Sequence, residues 1–308
     1  MKFFLFAILI SIGNLIYAQL KDDLSLSISD KMEKIRNNIP IDEEISVICN
    51  PNVFSTIKPI LSPYVSDTLP AIRKQSYRYF ALSALKSKNK KNRQFVVNLF
   101  VQQCFTENSG NTYSLLQYLQ RFSISDYNSS SLNNLDSLIQ KCSYYRGDVY
   151  KLAAYAGSPD AEILLNKKLL SVYNKSEKWD VYLALARLGN DDAINYIKNR
   201  VANFNINTDF VQVIIPDLIY TRQKSIYDII FEWVLTDKNI CVTNNPIDER
   251  EISCAYFLVE YLSTEIEDFP VKLDEYGEID EEITPELLQK VREWYRENKI
   301  YTIKTNKY

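Results

Sequence analysis

The most regular interplay of apolar and polar positions in the chain lies between residues 179 and 201. From Trp179 to Leu188 the apolar residues Trp179, Val181, Tyr182, Leu183, Leu185 and Leu188 fall on nearly every side of a helix, as expected of a helix buried on several faces at once. Gly189 supplies the left-handed residue that ends such a helix. Asn190 can cap the next one, and Asp191 and Asp192 put negative charge where the helix dipole favours it. The stretch that follows is one-sided, with Ala193, Ile194, Ile197 and Val201 on the apolar stripe and Asn195, Lys198, Asn199 and Arg200 facing water. The spacing predicts two helices joined by a tight turn.

The same pattern recurs 32 residues earlier, where Tyr155–Ala161 matches Arg187–Ala193 in register. There Gly157 stands for Gly189, Ser158 can cap as Asn190 does, and Pro159 takes the first helical position, where its missing N–H costs nothing. A weaker echo lies 33 residues on, with Ile226, Tyr227, Ile230 and Val234 on the stripe but neither the Gly nor the Asp. A helix–turn–helix repeating every 32 to 33 residues predicts an all-α chain, an α-α superhelix of stacked helical hairpins.

Taken in order, residues 19–65 read as an irregular N-terminal cap. Leu24, Leu26 and Ile28 alternate briefly, and Met32–Ile35 suggests a short helix. Pro40, Pro51, Pro59, Pro63 and Pro70 then crowd one stretch, and the repeats are expected over 66–240. Two longer hairpins are read from the stripes Phe95, Val96, Leu99 and Phe100; Leu115, Leu116, Leu119 and Phe122; and Leu132, Leu135, Leu138 and Ile139, with Tyr127–Ser131 as a polar turn. Residues 241–308 read as a C-terminal helical cap with an acidic loop. Glu251–Leu262 is expected to be helical, and Thr284-Pro285-Glu286 has the cap, proline and carboxylate of a helix start. Leu287, Leu288, Val291, Trp294 and Tyr295 supply its buried face. A small β-hairpin is expected around Tyr276-Gly277, and Ile300–Lys304 alternates as a strand would.

The stretch from Asp67 to Leu85 resembles the HEAT family of helical repeats: Asp67, Ile72-Arg73, Ser76 and Ala84-Leu85 stand where that pattern has an acidic residue, a β-branched residue with Arg, a small residue and a closing Ala-Leu. Leu185–Ala193 looks like the inter-helix turn of such repeats, and Pro216 would give the bent first helix they often have. The likeness covers roughly residues 66–237 and departs from the family in its unequal copies and many aromatics. It implies a curved array that binds partners, and it carries no catalytic residues over. In such arrays the second helix of each hairpin lines the inner curve. The resemblance thus implies a groove from Phe95–Cys104, Leu132–Cys142, Ala161–Leu170, Ala193–Val201 and Ile226–Leu235, with polar positions including Gln102, Gln103, Lys167, Asn195, Lys198, Asn199 and Glu232.

Composition and local motifs adjust this picture. Lys2, the apolar run Phe3–Ile16 and Ile16-Tyr17-Ala18 form a leader, residues 1–18, with cleavage expected between Ala18 and Gln19 and hence a periplasmic or secreted bacterial protein. No later segment is long and apolar enough to span a bilayer. The net charge of −3 gives no reason to expect nucleic acid. The complete absence of histidine excludes Ser-His-Asp and Cys-His catalysis and the common mixed zinc sites. No phosphate-binding glycine loop or nucleophile elbow occurs either, and no cofactor is expected. Five cysteines leave at least one thiol unpaired within a single chain; Cys241 and Cys254, flanking a polar loop with Pro246, are the best pairing candidates. Lys86, Lys88, Lys90, Lys91 and Arg93 could form a phosphate or headgroup patch, though a solvated loop is the simpler reading. The acidic loop 274–282 invites calcium, but its spacing fits no EF-hand.

The function expected is therefore non-catalytic: an exported repeat module binding a protein or peptide partner, with Asn195, Lys198, Asn199, Lys167, Gln103 and Glu232 as candidate contacts. A periplasmic immunity or inhibitor protein is one alternative. A glycan binder or two-carboxylate glycoside-active enzyme is another, weakly encouraged by 22 Tyr and 3 Trp. Oligomeric state is not legible.

Overall fold

The computed structural model describes residues 19, 21–41, 46–107, 110–243 and 250–308. The leader lies outside these residues, as does Pro246. The described chain is all-α apart from one two-stranded ribbon, and no helix in it is long and apolar enough to cross a membrane. It divides into two compact units, one ending at Asn134 and one running from Leu135 to Tyr308.

The first unit opens with a helix over 21–36, α1, whose stripe Leu24, Ile28 and Met32 is fully buried while Leu26 faces solvent. The expected brief alternation and short helix are thus replaced by four turns at i, i+4, i+8 spacing. Next come α2 (Phe54–Leu61), α3 (Pro70–Lys86), α4 (Lys90–Thr106), α5 (Asn111–Leu119) and α6 (Ser129–Lys141), which crosses into the second unit. Helix α5 lies against both α3 and α4. Phe54, Phe80 and Phe95 meet pairwise at 6.2–6.3 Å between ring centroids, distances at which aromatic pairs add to simple burial. The turn before α6 is a reciprocal cap, with Ser131 N–H donating to Asn128 Oδ1 at 3.1 Å and Asn128 N–H to Ser131 Oγ at 2.9 Å.

The repeat distance reappears in this unit as buried ion pairs. Arg73 grips Glu107 with two nitrogens at 2.8 and 2.6 Å, and Arg93 holds Asp126 at 2.9 Å, partners 34 and 33 residues apart. Both acids are almost fully buried, so removing either arginine would leave a stranded charge. The basic run is only in part a loop, with Lys88 exposed in the 87–89 connection. Lys86 ends α3, Lys90–Arg93 open α4, and the charge of Arg93 is committed to Asp126.

In the second unit three hairpins follow one another: α7 (Arg146–Ala156) with α8 (Ala161–Leu169), α9 (Lys175–Arg187) with α10 (Asp191–Val201), and α11 (Thr208–Tyr220) with α12 (Lys224–Val234). Helix α9 touches α7, α8, α10 and α11, which is why its sequence is apolar on so many sides; Val181 and Leu183–Ala186 are buried without exception. Gly157 and Gly189 close α7 and α9 in the left-handed conformation, φ 71° and 87°. Asn190 Oδ1 accepts the Ala193 N–H at 3.0 Å, as a cap should.

Two expectations at these turns fail. Ser158 does not cap α8: it is buried and donates to Asp136 at 2.5 Å, so α8 starts only at Ala161 and Pro159 lies before it. In the third copy, which lacks the glycine, Arg222 itself takes the left-handed conformation, φ 56°. Pro216 lies inside α11, the first helix of its hairpin, where the resemblance placed it, and that helix runs on to Tyr220.

The C-terminal region departs furthest from the sequence reading. Glu251–Ser253 is not helical but strand β2, paired antiparallel with β1 (Ile240–Val242). A disulfide between Cys241 and Cys254 clamps this ribbon, and α13 (Ala255–Ser263) begins only after it. Cys104 is buried as a thiol, while Cys49 and Cys142 are half-buried thiols. The expected small hairpin around Tyr276-Gly277 is present in minimal form, one antiparallel bridge, Leu273 to Ile279, with the Asp274 N–H donating to the Glu278 carbonyl at 2.8 Å, and the strand-like Ile300–Lys304 contributes one bridge, Ile303 to Ile266. Asp274 Oδ1 accepts the N–H groups of Tyr276 and Glu278, both at 2.8 Å, so this acid organises a turn. Among the described residues no group of acids and cysteines could hold a metal ion. Helix α14 (Pro285–Glu297) starts as its sequence says, with Thr284 Oγ1 accepting the Leu287 N–H, and Tyr295 stacks on Phe231 of α12 at 4.0 Å.

Candidate functional site

The first helices of the three hairpins, α7, α9 and α11, carry a half-buried polar seam. Lys151 of α7 places its Nζ 3.2 Å from Asp180 of α9 and 3.6 Å from Asp217 of α11. The Trp179 indole N–H donates to the other oxygen of Asp217 at 2.7 Å, so a residue read from the sequence as core has its polar tip in the seam. Gly147 makes room for this: a Cβ there would overlap the Asp180 carboxylate. Asp148 adds a third acid nearby.

One cation thus faces three carboxylates. Burial pushes the carboxyls of Asp148 and Asp180 above the ordinary range, although Lys151 pulls both back down. For Lys151 burial works against the charge, and the attraction of Asp217 and Asp180 outweighs it, so the ammonium is held more firmly than in water. Chemically the seam is a cross-link. The ammonium occupies the space between Asp180 and Asp217, where two-carboxylate glycoside chemistry would need the sugar and a water.

Beside the seam, the connection leading into each first helix exposes aromatic residues. Tyr144 and Tyr145 precede α7, Tyr173 precedes α9 and Phe204 precedes α11, spaced about thirty residues apart, as the repeats are. Arg146, at the start of α7, pairs with Glu177, at the start of α9, at 3.1 Å, which brings the first two connections side by side. Tyr173 is 94% exposed and Leu170, just before it, 85%. Tyr145 keeps a left-handed backbone, φ 52°. At the third connection, Phe204 forms a shallow depression of about 410 Å³ with Tyr196, Asn199, Arg200 and Asn203.

The candidate contacts chosen from sequence are only partly brought together. Asn195, Lys198 and Asn199 share the solvent side of α10, and Asn199 lines the depression. Lys167 on α8 and Glu232 on α12 are exposed on separate helices. Gln103 belongs to the first unit, where its Oε1 accepts the Tyr77 hydroxyl at 3.1 Å; it is tied into helix packing rather than offered to a groove. The aromatic row went unread because its members precede the helices and belong to no apolar stripe. The signal for it was the recurrence of Tyr144, Tyr173 and Phe204 at near-repeat spacing. Comparison with protein-family models, with curated proteins and with solved structures finds no match to this chain.

Proposed function

We propose that this chain is a non-catalytic, HEAT-like repeat module, exported to the bacterial envelope, that binds a protein or peptide partner along the leading connections of its α7–α12 hairpins. The observation carrying this reading is the recurrence of exposed aromatics, Tyr144, Tyr145, Tyr173 and Phe204, with Leu170, at the connection into each first helix; the other exposed large apolar side chains of the unit, Ile163, Val213, Ile240, Val242, Tyr276 and Ile300, do not recur at these connections. Exposed apolar patches rimmed by polar groups mark interaction surfaces, and tyrosines supply contact area at low entropic cost. Polar groups lie beside the row: Asn199, Arg200 and Asn203 next to Phe204, and the Arg146–Glu177 pair between the connections that carry Tyr145 and Tyr173. Lys151, lodged between Asp180 and Asp217, favours a structural rather than a catalytic role for the seam.

The test compares affinity isolation from the native envelope by the unaltered protein and by the triple variant Tyr144→Ser, Leu170→Ser, Tyr173→Ser. All three side chains are more than half exposed, so helicity and melting temperature should hold. The expected result is one stoichiometric protein retained by the parent and lost by the variant. Retention of that protein by both would move the site elsewhere, and retention on polysaccharide instead would favour the glycan reading.

A further inference from the structure

A second site lies away from the aromatic row, where α13 meets the first turn of α11. Phe257, Glu260, Tyr261 and Thr264 stand at i, i+3, i+4 and i+7 on and just past α13, and Thr208, Val211 and Gln212 face them from α11. Between them is a cavity of about 320 Å³, at the small end of the range for ligand pockets. Its position is fixed from behind. The ribbon that precedes α13 is closed by the Cys241–Cys254 disulfide, and the Val242 N–H donates to Thr208 Oγ1 at 2.8 Å.

The lining is chemically uneven. Val211 and the rings of Phe257 and Tyr261 make apolar walls, Gln212 and Thr264 add neutral polar groups, and Glu260 brings the only charge. Partial burial raises the Glu260 carboxyl above its ordinary range, with no cation among the described residues drawing it down. Tyr261 lies close enough that this carboxylate also disfavours its ionisation, after burial itself.

Elsewhere the same chain shows what such a set of groups holds. The Lys224 ammonium sits 2.8 and 2.9 Å from the two oxygens of Asp228 and 4.5 Å above the ring of Tyr301. Lys58 and Lys299 lie 3.7 and 3.6 Å over the rings of Phe95 and Tyr295. A carboxylate beside an aromatic face is an ammonium site twice over, through charge and through the ring quadrupole. Among the described residues lining the α11–α13 cavity there is a carboxylate and two aromatic rings but no cation; Lys304 and Lys307 reach Thr264 only at its carbonyl, at 3.1 and 3.3 Å.

We propose that the cavity lined by Val211, Gln212, Phe257, Glu260, Tyr261 and Thr264 binds a monovalent organic cation with a short alkyl body, an ammonium or guanidinium group seated on Glu260 against the Tyr261 and Phe257 rings. The cation is either a free amine or a lysine or arginine side chain presented by a peptide. The alkyl stem lies on Val211 and Phe257. This site does not depend on the aromatic row: it lies on other residues and is tested with other ligands.

The experiment is saturation-transfer NMR on the purified full chain with n-butylammonium, n-butylguanidinium and, as the neutral control, n-butanol. Both cations should saturate, butanol should bind at least tenfold more weakly, and Glu260→Gln should weaken the cations at least tenfold while leaving the melting curve in place. Glu260 is solvent-accessible, so this variant should fold; Phe257→Ala, with its own melting curve, is the second probe and should also weaken both cations. Adding an acetylated alanine peptide with one central lysine separates the two sources. Saturation at tenfold lower concentration than butylammonium assigns the site to a peptide side chain, and equal or weaker binding assigns it to free amines. Cation binding unchanged by Glu260→Gln, or butanol binding as well as butylammonium, overturns the proposal.

Discussion

Arg222 is the residue where backbone and charge effects oppose each other most directly. Its φ of 56° puts an arginine where the two preceding hairpins use glycine, and a non-glycine residue in that region costs roughly 1–2 kcal/mol. What holds it there is its side chain. The guanidinium pairs with Glu265, donates to the Tyr227 hydroxyl at 2.9 Å and donates to the Tyr308 carbonyl at 3.0 Å, with the pair almost wholly buried. Breaking a buried pair costs roughly 3–5 kcal/mol. Lys307 remains 3.0 Å from Glu265 as a second cation, so the low end of that range applies. Arg222→Ala should therefore lose about 3 kcal/mol while keeping the backbone cost. Arg222→Gly loses the same pair but relieves ~1–2 kcal/mol of strain against ~0.5–1 kcal/mol of added chain entropy. The glycine variant should thus be the more stable of the two by roughly 0.5–1 kcal/mol, read by urea unfolding at pH 7 with tyrosine and tryptophan fluorescence. Glycine no better than alanine would refute the left-handed assignment. Losses below ~0.5 kcal/mol in both would mean that Glu265 is solvated and the pair idle.

Three further predictions concern the seam and the ribbon. Gly147→Ala should destabilise by about 1 kcal/mol through displacement of the Asp180 carboxylate, yet turn stabilising in an Asp180→Ala background, where only the better helix propensity of alanine is left; a thermal-melt double-mutant cycle reads the sign change, and no change of sign would clear Asp180 of the clash. Asp148→Asn should raise the melting temperature at pH 7. Burial raises the Asp148 carboxyl in the fold, so its charge penalises the folded state above that raised value and not below the unfolded value of about 3.9; the advantage should vanish by about pH 3, and one that persists there would have another cause. Replacing Cys241 and Cys254 by serine opens a crosslink with a sequence separation of 13 and should cost about 3 kcal/mol, together with weaker cation binding in the α11–α13 cavity, measured as above; unchanged binding would show that the ribbon does not brace Thr208.

The sequence carried the hairpins because their signals are local. A glycine ending one helix and an asparagine capping the next identify a turn without reference to anything distant, and Gly157, Gly189 and Asn190 act as read. Ser158 misled for the same reason. It has a cap's side chain, but buried Asp136, 22 residues earlier, accepts its hydroxyl. Glu251–Ser253 reads as the first turn of a helix until the disulfide draws it against residues 240–242. The seam was invisible because Lys151, Asp180 and Asp217 come from three helices and each alone looks like a surface charge. Arg222 could not be found from a missing glycine, since what makes the substitution tolerable is Glu265, 43 residues on. In each case the missing information was a long-range partner.

One such partnership changes how the α7–α12 hairpins should assemble. Residues 305–308 lie across the ends of all three first helices: Arg187 donates to the carbonyls of Thr305 and Lys307 at 2.9 and 2.7 Å, Tyr155 to that of Asn306 at 3.2 Å, and Tyr308 sets its ring against Tyr155 and Tyr220. A simple repeat array has only nearest-neighbour couplings and can fray from either end, one hairpin at a time. Here a stretch made after all three hairpins joins segments as many as 151 residues earlier. During synthesis the hairpins can stack early as a loose, locally held column. They become a single cooperative unit only when residues 305–308 dock, so the loop-closure cost of that late contact should set the slow step of folding.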